Sequence, residues 1–147
     1  MGWWVADVWN EPTQGPVWVV SWLVWIVGSI VLHELAHGWA ALRFGDPTPR
    51  ATGHMTWNPL VHMGPYSLVA LLVFGIAWGA MPVDPSRMRG RHAEALVAAA
   101  GPAMNVALAL IALVGLIVWR PLADGALISG VVIGEPPGFS LFTSVFA

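Results

Sequence analysis

The 147-residue sequence contains no cysteine and no lysine. Without cysteine there are no disulfides, no thiolate metal ligands and no thiol nucleophile, so any metal must be held by His, Asp, Glu or Asn. Charge is also scarce. Charged residues make up 10% of the chain, against about 25% in soluble domains. Hydrophobic residues reach 57% and the mean hydropathy is +0.70. This deficit of charge places the chain among integral membrane proteins. The net charge is −2 and all six basic residues are scattered arginines. With no basic run and no base-stacking aromatic motif, nucleic acid is excluded as a partner. A chain of this length holds one domain.

What is abundant is tryptophan, ten residues in all. Tryptophan prefers the headgroup level of a bilayer. The N-terminal stretch MGWWVADVWNEP has no positive n-region of the kind a signal peptide carries. It also lacks the Ser or Thr that a myristoylation signal needs, because Ala6 stands there. Trp3, Trp4, Val8 and Trp9 suit a short segment lying on the membrane surface.

The apolar runs divide the chain. An interfacial segment over 1–16 precedes a helix over 17–44, which Gly45, Asp46 and Pro47 close. A polar loop follows over 45–65, rich in Pro, Gly, Thr and Asn, whose 51–58 portion alternates like a small hairpin. Backbone of this kind persists at membrane depth only when buried in protein or lining a wet cavity. A second apolar helix is expected over 66–81, short for a full span. A third runs over 93–119, closed by Arg120 and Pro121, and 121–147 forms an incomplete C-terminal region. The expected fold is a single all-α membrane-embedded domain. It has about three membrane-embedded helices, one of them short or re-entrant, and a small hairpin-like loop after the first.

Arginine placement bears on topology. Arg43 and Arg50 follow the first span, and Arg87, Arg89 and Arg91 precede the third. The positive-inside rule places both groups on the cytoplasmic side. A full second span would separate them, whereas a re-entrant 66–81 element keeps them together and leaves only Arg120 outside. The re-entrant arrangement, with the N-terminus outside, is the expectation.

The chemistry concentrates in the first helix, where His33-Glu34-Leu35-Ala36-His37 has the H-E-x-x-H spacing. Residues i and i+4 lie one turn apart on one helical face, so two imidazoles converge on one ion. Glu34, one position round the helix, reaches a water beside the metal without ligating it. A single histidine in a helix is usually structural. Two histidines and a glutamate inside an apolar span are expensive there and mark a functional site. Haem is a poor fit, because axial histidines face each other across the ring and this pair shares one face. A tetrahedral catalytic zinc takes three protein ligands. His33 and His37 supply two, and Asp124, His62, His54 and Asp84 are the remaining candidates for the third.

At this point a resemblance becomes visible. The segments HELAHGWAALRFGDPTPRATGHMTWNPLVHMGP, MPVDPSRMRGR and ALVAAAGPAMNVALAL are similar, in order, to the site-2 protease family of intramembrane zinc metalloproteases, in its small bacterial branch without a PDZ domain. The resemblance covers about residues 17–119. It implies Zn2+ bound by His33 and His37, with Glu34 as the general base. Asn58, His62 and Asn105 match characteristic polar positions that suit substrate backbone binding or oxyanion stabilisation. His54 is expected to be a loop residue and His92 a solvated one. Two departures stand out. Gly64 replaces an aspartate usual in the branch, and the family's later Asp-Gly helix, source of its third ligand, has no clear match. The Asp124-Gly125 dipeptide has the letters without the run that precedes them.

The resemblance therefore implies a zinc-dependent intramembrane endopeptidase, either a piece of a longer protein or a natural short form. Its substrate would be a transmembrane or membrane-adjacent protein segment, and its setting a multi-pass protein of the bacterial cytoplasmic membrane in contact with lipid. The rival expectation is a non-catalytic, protease-derived subunit of a larger membrane complex.

Overall fold

The computed structural model describes residues 4–12 and 15–128, with backbone alone at 4, 5, 7 and 121–128. The C-terminal stretch 129–147, including the expected unfinished span after Phe139, lies outside the described residues. The element order is α1 (Trp4–Trp9), α2 (Gly15–Arg43), α3 (Thr48–Ala51), α4 (Pro59–Phe74), a 3-10 turn (Pro85–Arg87) and α5 (Ala93–Ile128). No strand occurs among the described residues, so the chain is all-α as its composition predicts.

Helices α2 and α5 are long and apolar enough to cross a membrane, over Gly15–Arg43 and Ala93–Arg120. At 1.5 Å per residue, 29 residues reach about 44 Å, more than the roughly 30 Å of a bilayer's hydrocarbon. Their outer faces are apolar and exposed, including Val17, Val20, Val24 and Trp25 on α2 and Leu110, Val114, Ile117 and Trp119 on α5. Water would not tolerate that surface, but lipid does. The chain is a membrane protein.

The two long helices pack antiparallel. His37 meets Val97, both motif histidines meet Gly101, and Ser29 shares a cavity with Asn105. On α5 the inward positions Ala93, Val97 and Gly101 recur every four residues and are buried. Lipid is as apolar as leucine, so close approach of small residues and polar contacts hold such helices together. Ala36, Gly38 and Ala41 on α2 match Ala93 and Gly101 on α5 in this respect.

The middle of the chain departs from expectation in register. Asn58 caps α4 by accepting the Leu60 amide at 3.0 Å, and Pro59 takes the first helical position. The short apolar helix therefore begins at 59 rather than 66, and Gly75 closes it in a left-handed cap after Phe74 rather than at 81. The helix is broken inside at Gly64, where φ is 66° and ψ 170°, just before Pro65. That left-handed backbone suits glycine, which accounts locally for Gly64. The hairpin expected over 51–58 does not form. Pro49 near the start of a helical turn favours α3 instead, and residues 52–58 follow as turns and bends. At the far end, Arg120 and Pro121 do not close α5, whose backbone continues to Ile128.

After α4 the chain returns as an extended segment over 76–84. Ser67, fully buried on α4, donates its hydroxyl to the Trp78 carbonyl at 2.7 Å and accepts the Trp78 amide at 2.9 Å. The Ala80 amide donates to the His62 carbonyl at 2.9 Å. Helix α4 and the extended segment that returns from it thus form an in-and-out element. Its end is tied back to the end of α2. The Asp84 amide donates to Asp46 at 2.7 Å and the Arg89 amide to the Phe44 carbonyl at 2.8 Å. The loops after α2 and before α5 therefore meet at one end of the molecule, the geometry of a re-entrant element.

Candidate metal and hydrolytic site

The site is built where α2, α5 and the extended segment meet. His33 and His37 lie one turn apart on α2 with their rings at 77° and their centroids 4.7 Å apart. Their Nε2 atoms are 3.1 Å from each other. Two nitrogens bound to one zinc at 2.0–2.1 Å with a near-tetrahedral angle sit about 3.3 Å apart. The pair is within a few tenths of an ångström of that separation. His37 Nδ1 lies 2.7 Å from the Val97 carbonyl oxygen. A carbonyl only accepts, so Nδ1 carries the proton and Nε2 presents its lone pair, the usual outer-shell arrangement for a metal-ligating histidine.

Gly101 supplies the space. A Cβ at this position would collide with the Nε2 atoms of both histidines. The cradle left by the missing side chain is therefore the place toward which both nitrogens converge. His33 Nδ1 is buried without a hydrogen-bond partner. These features fit a cation held by the pair.

Glu34 is buried, at 7% exposure. It lines a cavity of about 190 Å³ with Ser29, Ile30, His33, Gly79 and Asn105. Gly79 of the extended segment passes so close that a Cβ there would stand 2.7 Å from Glu34 Cγ and Oε1. The carboxylate is thereby confined between α2 and the extended segment, facing the same cavity as His33. In the extended segment the amides of Trp78, Ala80 and Asp84 bond toward α4 and the α2 terminus. The alternate residues Ala77, Gly79, Met81 and Val83 make no backbone hydrogen bonds among the described residues. One edge of this extended segment is paired and the other is open beside Glu34.

Of the polar positions expected at the site, the structure brings Asn105 to the cavity. Asn58 is exposed and caps α4. The buried His62 ring donates to the Thr56 carbonyl at 2.7 Å and holds the loop. His54 lies against His62, with ring centroids 6.3 Å apart, and Asp84 caps the 3-10 turn and pairs with Arg87. None of these stands with the histidine pair, and no cluster of three His, Asp or Glu residues suited to a metal occurs among the described residues. Asp124 is described by its backbone alone, which stands 23 positions beyond Gly101 on the same helix, about 35 Å along the axis. The Asp124 side chain lies outside the described residues, and so does the expectation that it is a zinc ligand.

Three residues that motif spacing did not single out prove central. Gly101 and Gly79 act by close approach, which a sequence signals only as glycine. Asp46 acts at a distance. It is fully buried, accepts from the Thr48 amide and hydroxyl and from the Asp84 amide, and anchors the return of the extended segment. Burial pushes its carboxyl up, but these hydrogen bonds and the Arg87 charge outweigh it and hold it below the ordinary aspartate range.

A membrane-embedded helical pair carrying convergent histidines, with a glutamate in the adjoining cavity, defines a metallohydrolase class of site. The chain belongs to peptidase family M50, whose family model matches residues 21–144. It is 38% identical over 92 residues to "Putative zinc metalloprotease YwhC" of Bacillus subtilis, covering 60% of this chain and 42% of that protein. It is 31% identical over 120 residues to Rip2 of Mycolicibacterium smegmatis, covering 77% of this chain and 46% of the relative. Rip2 of Mycobacterium tuberculosis is 32% identical over 118 residues, 75% of this chain and 45% of its own length. Both Rip2 proteins carry the same zinc metalloprotease description. The chain thus spans less than half the length of the curated relatives it matches. No solved structure gives a significant match. The cofactor named by these relatives is zinc.

Proposed function

We propose that the protein is a zinc-dependent intramembrane endopeptidase, with His33 and His37 as zinc ligands and Glu34 as the general base. The observation that carries this reading is the convergence of both Nε2 atoms on the Gly101 cradle, next to a cavity that Glu34 lines. Family membership supports the metallopeptidase chemistry, and the apolar, outward-facing α2 and α5 support an intramembrane setting. His33 and His37 supply two of the three protein ligands that a catalytic zinc takes.

Zinc bound at the pair supplies Lewis-acid polarisation of the scissile carbonyl and acidifies water toward neutral pH. His37, with its Nδ1 proton donated to Val97, keeps its Nε2 lone pair directed at the ion. Glu34 takes a proton from the attacking water and delivers it to the leaving amine nitrogen. Asn105 offers an amide donor on the opposite wall of the cavity. The open edge at Ala77, Gly79, Met81 and Val83 suits a substrate held extended, its backbone groups paired where α4 leaves them free. That requirement favours a membrane-embedded or membrane-adjacent segment that unwinds locally.

The arginines set the orientation. Arg43, Arg50, Arg87, Arg89 and Arg91 gather at the end where the two loops meet, which the positive-inside rule makes cytoplasmic. This distribution supports the reading of a multi-pass protein of the bacterial cytoplasmic membrane. The test is proteolysis of a transmembrane reporter by the full chain and by Glu34→Gln, with zinc measured in both. Loss of cleavage in the variant with zinc retained supports the reading. Undiminished cleavage by Glu34→Gln rejects it, and zinc binding with no cleavage by either points to a non-catalytic membrane subunit.

A further inference from the structure

A second feature lies at the arginine-rich end, away from the histidines. Helix α2 ends at Arg43, and the chain before α5 comes back over that end, its Arg89 amide donating to the Phe44 carbonyl at 2.8 Å. This contact brings together two arginines far apart in sequence. Arg43 and Arg89 line one open cleft of about 520 Å³, together with Leu42, Phe44 and Gly45. The Arg89 side chain lies along Gly45, where a Cβ would be in van der Waals contact with its Cγ, Cδ and Nε atoms at 3.7–3.8 Å.

Neither guanidinium is neutralised from within. Neither Arg43 nor Arg89 takes part in a salt bridge among the described residues, whereas Arg87 pairs with Asp84 at 2.9 Å. Asp46, the acid nearest in sequence to Arg43, spends its oxygens on Thr48 and on the Asp84 amide. Asp84 in turn holds Ser86 and Arg87. Two like charges sharing a cleft without a counter-ion repel, and a bound anion relieves that repulsion. Planar guanidinium groups match phosphate oxygens two at a time. The location narrows the source of the phosphate. The cleft sits where a spanning helix ends, the level of lipid headgroups, and its apolar wall of Leu42 and Phe44 adjoins the lipid-facing surface.

We propose that the Arg43–Arg89 cleft binds the phosphate of an anionic membrane lipid. His33 lies ten residues before Arg43 on the same helix, about 15 Å along the axis. A phosphate held in the cleft therefore sets the depth of the histidine pair below the headgroups. The inference holds whether or not the histidines support proteolysis, because it concerns only the end of α2 and the turn before α5.

The experiment places the full chain in nanodiscs of phosphatidylcholine with a minority of phosphatidylglycerol and counts retained lipids by native mass spectrometry. Wild type is expected to retain phosphatidylglycerol preferentially. Arg43→Gln with Arg89→Gln is expected to lose that preference by roughly 25-fold, from about fivefold per arginine near an anionic surface. The control pair Arg50→Gln with Arg91→Gln is expected to keep it. If the double variant loses helical content, Arg89→Gln alone, at an exposed position, is expected to show about a fivefold loss. Equal retention by wild type and the Arg43/Arg89 variant, or equal loss in the control pair, overturns the proposal. Binding of inorganic phosphate at the cleft with no preference among lipids also overturns it, in favour of a soluble anion.

Discussion

The Nδ1 atom of His37 lies 2.7 Å from the carbonyl oxygen of Val97, sixty residues further along the chain. Through this bond α5 fixes the tautomer and ring orientation of a side chain carried by α2. The adjoining Gly101 on α5 leaves room for what both histidines point at. The proposed metal site is thus shared between two helices, although α2 alone carries the motif.

Replacing either ligand should abolish metal binding. His33→Ala and His37→Ala are expected to lose zinc, measured by elemental analysis of detergent-purified protein, whereas Glu34→Gln retains it. Proteolysis by Glu34→Gln should fall at least about 100-fold, the scale of losing a general base. Full zinc content in both histidine variants would remove the pair as ligands.

Gly101→Ala is expected to lose zinc as completely as the histidine variants, because its methyl group would occupy the space between the two Nε2 atoms. Gly115→Ala on the same helix has nothing within 4 Å of the new carbon. It should leave zinc and activity unchanged and slightly favour the helix, by about 0.5–1 kcal/mol on soluble-helix scales. A Gly101→Ala protein with normal zinc would show that the cradle is not where the ion sits.

Gly79→Val tests the extended segment. Its side chain would press on the Glu34 carboxylate and on Ile30. Zinc should be retained while kcat drops, since the histidines are untouched and the base is displaced. A change confined to KM would instead locate the effect in substrate binding along the open edge.

Asp46 governs the return of that segment and gives a pH signature. Its carboxyl lies below the ordinary value of 3.8, with hydrogen bonds from Asp84 and Thr48 outweighing the burial that raises it. A depressed folded-state pKa contributes stability above the unfolded value, and that stability is lost as pH falls through the folded one. The melting temperature of the wild type should therefore fall below about pH 4, and Asp46→Asn should flatten that dependence. At neutral pH Asp46→Ala is expected to cost about 3 kcal/mol, from amide and hydroxyl donors left without an acceptor. An unchanged melting temperature in Asp46→Ala would show that the anchor is dispensable.

The absence of native cysteine makes topology directly measurable. Single cysteines at Arg50 and Arg91 should be labelled from the same side of the membrane by an impermeant maleimide. Labelling from opposite sides would contradict the re-entrant arrangement of α4 and the extended segment after it.

Much of this protein is legible in its amino-acid sequence alone. Scarcity of charge and long apolar runs determine the membrane setting, because hydrocarbon excludes ionised groups and demands helical spans. The i, i+4 spacing of His33 and His37 determines a shared face, because helix geometry is local. The in-and-out pairing of α4 with the extended segment after it is legible only in part. Arginine distribution points to it, while Asn58 and Gly75 move the helix boundaries by seven residues at each end. Hairpin pairing over 51–58 yields to the local turn preference of Thr48-Pro49. Only tertiary structure decides that Gly101 and Gly79 approach the histidine helix and that Asn105 shares its cavity, while Asn58 caps α4 and His62 holds its loop. It also decides that Asp46 holds the extended segment in place. Those relationships depend on which residues from distant parts of the chain approach within a few ångströms, and a single sequence encodes such approaches without displaying them.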